Sequence, residues 1–352
     1  ATTAYEPLLD DYEPHATTEE VGAVLAGLRD ALAPLVQAIV GSGRRPDSAM
    51  LKRSFDPGVQ ESFGREISAA IGFDYAAGRL DATAHPFCGG AGPGDVRITT
   101  RYNAHDFGDA FFSILHEAGH GMYEQGLPRD HFGLPTGEAV SLGIHESQSR
   151  MWENQVGRSR AFWEHVLPRA QAAFPAALGD ATLASFYAAI NEVQPSLIRV
   201  DADEVTYNLH ILIRFELERA LIEDDLQVAE LPGAWREKYR QYLGIEPPSD
   251  ADGALQDVHW SAGLFGYFPT YSLGNLYAAQ FYAQADQDLG GLDEGFRRGD
   301  FAPLLGWLRE NIHRHGQRYT AAELVQRVTG QPLSHGPWID QMRLKYGELY
   351  TL

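Results

Sequence analysis

The sequence contains one cysteine, Cys88, in 352 residues. A lone thiol cannot form an internal disulfide or build a thiolate metal site by itself, so any metal must be held by histidine and carboxylate. Basic residues are also scarce: 28 Lys and Arg stand against 48 Asp and Glu, a formal charge of -20. Such a field repels polyanions, so neither nucleic acid nor a membrane surface is an expected partner. It also opposes any ligand with a free carboxylate, and a protein binding one would need an arginine inside its site. No unbroken apolar run approaches the roughly 18 residues of a membrane span. Ala1 to Asp11 has neither a basic n-region nor an apolar h-region, so the expected location is the cytoplasm. The composition, 44% hydrophobic and 11% aromatic, is that of a globular protein.

Most segments place apolar residues at three- and four-residue spacing, which predicts helices over Glu19–Ile39, Asp106–Gln125, Ser141–Val156, Leu183–Val193, Ala202–Ile222, Leu304–Ile312 and Ala321–Val328. The clearest exception is Asp95–Tyr102. There Val96, Ile98, Thr100 and Tyr102 alternate with Arg97, Thr99 and Arg101, the period-two pattern of a strand. The glycines and proline from Gly89 to Gly94 just before it suggest a turn. Breaks at Gly41–Pro46, Gly126–Gly137 and Gly244–Gly253 are too short to be domain linkers, and no internal repeat is present. The expectation is a mainly α protein, one helical domain over residues 1–352, with a small β element beside its central helices.

The sharpest motif is His116-Glu117-Ala118-Gly119-His120, an H-E-x-x-H inside the helical pattern that opens at Asp106. Residues four apart lie one above the other on a helix face, so both imidazoles can reach one metal ion. Glu117 beside them can take a proton from water that the metal activates. A metzincin would need glycine at 123 and histidine at 126, where this chain has Tyr123 and Gly126. The third ligand is therefore expected to be a carboxylate from a later helix. Glu146 is favoured by position, with Glu138 and Glu153 as alternatives. His145 is adjacent to Glu146 but points about 100° away round the helix.

The stretch Gln256–Tyr271 is aperiodic and combines Gln256, Asp257, His259, Trp260, Tyr267 and Tyr271 with Gly263 and Gly266. A site lining and a packed loop with satisfied polar groups fit that composition about equally.

Six blocks in order, His85-Pro86-Phe87, Asp95 to Thr100, His116 to His120, His145 to Arg150, Ile198 to Glu204 and Gln256 to Trp260, resemble the signature blocks of the Taq-type thermostable metallocarboxypeptidases. The resemblance implies a mainly helical fold with a deep active-site groove and the H-E-x-x-H helix at its centre. It implies one divalent ion, zinc or cobalt, and removal of single residues from free peptide C-termini. By motif, His116, His120 and Glu146 would hold the metal, Glu117 would be the general base, and Arg199 would receive the substrate's terminal carboxylate. Arg97, Arg101, Arg150 and Arg214 are rivals for that last role. A guanidinium suits it, because it meets a carboxylate through two parallel hydrogen bonds. His259 and either Tyr267 or Tyr271 would serve the developing oxyanion. His85, Gln256 and Asp257 would also line the substrate site, Asp257 chiefly orienting a neighbour. Familiar members carry further helices ahead of the segment that begins here at Tyr5, so the chain resembles a short form. That bears on the closure of the groove and on the homodimer common in the family. The alternatives are an endopeptidase or oligopeptidase of the same metal class, and a metal- or peptide-binding protein without turnover.

Overall fold

The computed structural model describes residues 1–352. Helices begin where the sequence supplies caps. Thr17 and Glu20 form a reciprocal capping box at the start of Thr18–Gly41, and Asp56 precedes Pro57 at the start of Pro57–Ile71. The Asp106 carboxylate accepts from the amides of Gly108 and Asp109, starting the H-E-x-x-H helix Phe107–Gly126. The Ser141 hydroxyl accepts from the amide of Ile144, starting the helix Leu142–Arg150, called here the glutamate helix. Each such bond satisfies an amide that has no partner in the first turn. The glutamate helix runs into a π-helical turn, Met151–Val156, so the single helix expected over Ser141–Val156 has a regular part and a wide part. The long helix expected from Ala202 starts at Tyr207 and ends at Ile222.

The helix Pro269–Asp288 crosses the middle of the molecule and has 13 of its 20 residues buried. Burial on nearly all sides erases the one-sided apolar stripe, which is why periodicity missed it. By length and composition Thr18–Gly41 could cross a membrane, but its stripe Val21, Leu25, Leu28, Leu32, Val36 and Ile39 packs into the protein core. That core is a large apolar cluster from Tyr5 to Tyr350, with Tyr207, Ile211 and Phe268 forming a small separate one.

The β element is larger than the sequence suggested. Strands β1 (Gly78–Ala82), β2 (Cys88–Gly92) and β3 (Asp95–Thr100) form a sheet in the order β1-β3-β2. β1 runs parallel to β3 with Gly78 opposite Val96, and β2 antiparallel with Cys88 opposite Ile98. The glycine run expected to be a turn is mostly strand β2. A Cβ at Gly90 would lie 2.0 Å from the Asp95 carbonyl oxygen, so these glycines permit close pairing and a bulge rather than only a reversal.

The N-terminal segment is tied beneath the site helices. The Tyr5 hydroxyl donates to Glu218 at 2.8 Å. Buried Glu13 accepts from the Gly143 amide at 3.1 Å and from the Tyr277 hydroxyl at 3.0 Å. One carboxylate thereby joins the first segment, the glutamate helix and the central helix.

Candidate metal centre and active site

His116 and His120 project from one face of the H-E-x-x-H helix toward Glu146. The Glu146 Oε2 atom lies 3.7 Å from His116 Nε2 and 3.4 Å from His120 Nε2, and ligand atoms from all three residues lie within 4.8 Å of one another. Ligand atoms about 2.0–2.1 Å from a tetrahedral ion are roughly 3.3 Å apart, so the three residues fit a small divalent cation with little movement. Gly119 and Gly274 permit the approach. A Cβ at Gly119 would lie 2.6 Å from the Gln148 carbonyl oxygen, and one at Gly274 would lie 2.5 Å from Glu146 Cγ.

The other face of each imidazole is also held. His116 Nδ1 meets Glu153 Oε2 at 2.9 Å. His120 Nδ1 meets His145 Nδ1 at 2.6 Å, and His145 Nε2 meets Glu124 Oε1 at 2.7 Å. Both Nδ1 atoms are thereby engaged and both Nε2 atoms are turned inward, as hydrogen-bonded carboxylates do for metal-ligating histidines. Burial would raise the Glu146 pKa, but Arg150 first, then His116 and His120, hold it well below the usual carboxylate range. Burial, helped by His145 and His116, lowers His120 to about 3, so it is neutral and able to ligate. Glu117 makes no hydrogen bond to a protein group, and burial lifts its pKa to about 7. That value suits a group that takes and returns a proton near neutrality.

A second cluster centres on Asp257. Its Oδ1 accepts from Arg199 Nε at 2.9 Å and pairs with Nη2 2.8 Å away, and its Oδ2 accepts from Arg214 Nε at 2.6 Å. Arg199 Nη1 donates to the Tyr207 hydroxyl at 3.0 Å. Nε and Nη1 of Arg199 each donate one hydrogen bond and Nη2 lies in the ion pair, so at least two of the five guanidinium N–H groups remain. Two guanidiniums against one carboxylate leave one positive charge. Burial first, then Arg199, brings the neighbouring His259 down to about 4, so it stays neutral. The cluster therefore calls for one anion, in a protein that is acidic elsewhere.

The chain matches, over residues 1–346, the family model described as Carboxypeptidase Taq (M32) metallopeptidase. The chain belongs to this M32 family. It is 54% identical over 346 residues to Thermostable carboxypeptidase 1 of Thermus thermophilus, covering 98% of this chain and 68% of that protein. It is 42% identical to Carboxypeptidase 1 of Bacillus subtilis, covering 99% and 70% of the two chains. The M32 carboxypeptidase structure from Deinococcus radiodurans R1 superimposes with a TM-score of 0.97 at 48% identity, over 99% of this chain and 70% of that one. The protein is thus a metal-dependent carboxypeptidase, a hydrolase that removes residues from the C-termini of peptides.

Within this M32 carboxypeptidase several sequence-predicted residues take parts other than the expected ones. Arg97 faces outward from β3 and pairs with Asp95 at 2.9 Å, because it sits on the strand face turned away from the H-E-x-x-H helix. Gln256 has no amide atom to spare for substrate. Its Oε1 accepts from the Arg199 amide and from Arg214, and its Nε2 donates to the Leu197 and Asp252 carbonyls. Asp257, by contrast, has both oxygens on arginines, the orienting part expected of it. Of the rivals to Arg199, Arg101 pairs with Asp109, Arg214 is wholly buried, and Arg150 is bonded to Glu146. Glu138 is exposed, and Glu153 stands behind His116. His259 Nε2 meets the Tyr271 hydroxyl at 3.1 Å, with the Tyr267 ring 5.3 Å from that of Tyr271. His85 is exposed and close enough to act on the charge of His259.

Sequence reasoning missed Tyr207 and Glu124. Glu124 follows His120 by four residues, a same-face spacing that was available as a signal; Tyr207 had none. A cavity of about 580 Å³ is lined by Asp74, Gln125, Arg129, Arg309, Glu310 and Arg314. It lies beyond the C-terminal end of the H-E-x-x-H helix and includes no metal-site residue.

Proposed function

We propose that His116, His120 and Glu146 hold one zinc ion, that Glu117 is the general base, and that Arg199 anchors the substrate's terminal carboxylate. The observation that carries this reading is the unbalanced positive charge at Arg199, with two free N–H groups, one tyrosine ring from the metal site. Tyr207 accepts from Arg199 on its hydroxyl and lies 4.4 Å beneath the Arg150 guanidinium that grips Glu146. A divalent ion bound there supplies Lewis acidity, which polarises the scissile carbonyl and acidifies water.

The protein's own groups do the rest. Arg199 takes the carboxylate through paired charge-assisted hydrogen bonds and fixes the register, so that only the last peptide bond lies beside Glu117. Glu117 accepts the water proton and returns it to the leaving amine. Tyr271, backed by His259 and flanked by Tyr267, donates to the oxygen that gains charge. A two-histidine, one-carboxylate set is common for catalytic zinc, while cobalt would occupy the same ligands. The large apolar core supports residues 1–352 as one catalytic domain.

The test is a mass-spectrometric time course with one peptide offered as free acid and as C-terminal amide. Stepwise loss of single residues from the acid alone is the expected result. Internal cuts in both forms would replace the anchor with an endopeptidase reading. Binding of one metal equivalent without cleavage of either would leave a protein that binds without turnover.

A further inference from the structure

One guanidinium touches both carboxylates that organise the metal site. Arg150 Nε donates to Glu146 Oε1 at 2.7 Å, and Nη1 donates to Glu153 Oε2 at 3.2 Å. That same Glu153 oxygen meets His116 Nδ1 at 2.9 Å. Glu146, Arg150 and Glu153 stand at i, i+4 and i+7, one stripe along the glutamate helix and the π-helical turn after it. The Tyr207 ring lies 4.4 Å from the guanidinium, whose side chain is only 14% exposed. Arg150 is therefore held on three sides and is not poised to meet substrate.

A carboxylate can ligate through one oxygen or both. Oε1 takes the short charge-assisted hydrogen bond from Arg150, whereas Oε2, which accepts only a longer, neutral bond from the Ser149 hydroxyl at 3.2 Å, is the atom facing both histidine Nε2 atoms. We propose that Arg150 is a positioning residue for the metal, restricting Glu146 to one ligating oxygen while holding Glu153 where it aims His116. This inference rests on His116, His120 and Glu146 being the ligands. Its consequence is a low coordination number, which suits zinc better than larger ions that accept a two-oxygen carboxylate.

The test compares wild type, Arg150→Met, Arg150→Lys and Glu146→Ala by zinc competition against a chromophoric chelator and by the visible spectrum of the cobalt-loaded protein. Loss of the clasp in Arg150→Met should weaken zinc binding about 10- to 100-fold. It should also reduce the cobalt absorption, because freeing Oε1 raises the coordination number above four. Arg150→Lys keeps the charge without the planar fork and should recover only part of the affinity; it also carries the test if Arg150→Met does not fold. Glu146→Ala should lose the ion. Wild-type affinity and spectrum in a folded Arg150 variant, with the ion lost in Glu146→Ala, would overturn the role of Arg150 and leave the ligand assignment standing. Retention of the ion in Glu146→Ala would overturn both.

Discussion

Replacing Arg199 by methionine isolates the anchor, because the change removes donors and charge while keeping an unbranched side chain. The fold should survive it. Asp257 keeps Arg214 at 2.6 Å, so no carboxylate is left buried and alone, the situation in which breaking an ion pair costs most. The substrate, in contrast, would lose the N–H groups proposed to hold its carboxylate. Each hydrogen bond to a charged group is worth about 1.5–3 kcal/mol, so two amount to roughly 3–6 kcal/mol, or a fall of about 10²- to 10⁴-fold in kcat/KM at 1.4 kcal/mol per decade. The assay is kcat/KM for matched free-acid and C-terminal amide peptides, with metal content and thermal midpoint measured alongside. Wild type should favour the acid strongly, and Arg199→Met should lose that preference through the acid reaction alone. Preservation of the acid-to-amide ratio, with folding and metal intact, would refute the anchor and direct attention to another cation.

Further outcomes follow from the same geometry. Glu117→Gln should retain one metal equivalent while turnover falls by about 10²- to 10⁴-fold; a variant with substantial turnover would contradict the general-base role. Gly274→Ala should drive a methyl against Glu146, where a Cβ would come within 2.5 Å of Cγ. We expect a loss of about 1–3 kcal/mol of stability together with weaker metal binding, read by thermal melting and metal competition. Burial raises Glu13 from 4.5 to about 7, so its favourable contribution is complete below about pH 4.5 and is lost as pH rises through about 7. At about 1.4 kcal/mol per pH unit this is roughly 3 kcal/mol. Denaturant titrations from pH 4.5 to 8 should therefore show Glu13→Gln gaining stability relative to wild type as pH rises, and a pH-independent difference would contradict that account.

How much of the site was legible depended on whether its parts are local in sequence. The H-E-x-x-H spacing declares a metal face because helix geometry alone brings residues four apart together. Glu146 was favoured by position and singled out by the family resemblance, yet the place of Glu153, seven residues on along nearly the same face and behind His116, was visible only in three dimensions. Gly119 and Gly274 bring the neighbouring helices down onto Glu146, and Arg150 turns one of its oxygens aside. The stretch Gln256–Tyr271 was marked by composition, but which of its polar atoms are consumed internally was not. Gln256 and Asp257 proved to be struts because Arg199 and Arg214 arrive from distant segments. Amphipathic elements such as Ala321–Thr329 were readable because one face meets water, whereas Pro269–Asp288 and the glycine strand β2 were not. A helix buried all round carries no stripe, and a strand of glycines carries no side-chain alternation.

By itself the sequence determined the class of chemistry, because ligand type and helical spacing are local properties. The Arg150 bond to one oxygen of Glu146, the engaged Nδ1 atoms and the pairing of two arginines on Asp257 were decided by tertiary structure alone. Each is a sum over groups that meet only when the chain is folded.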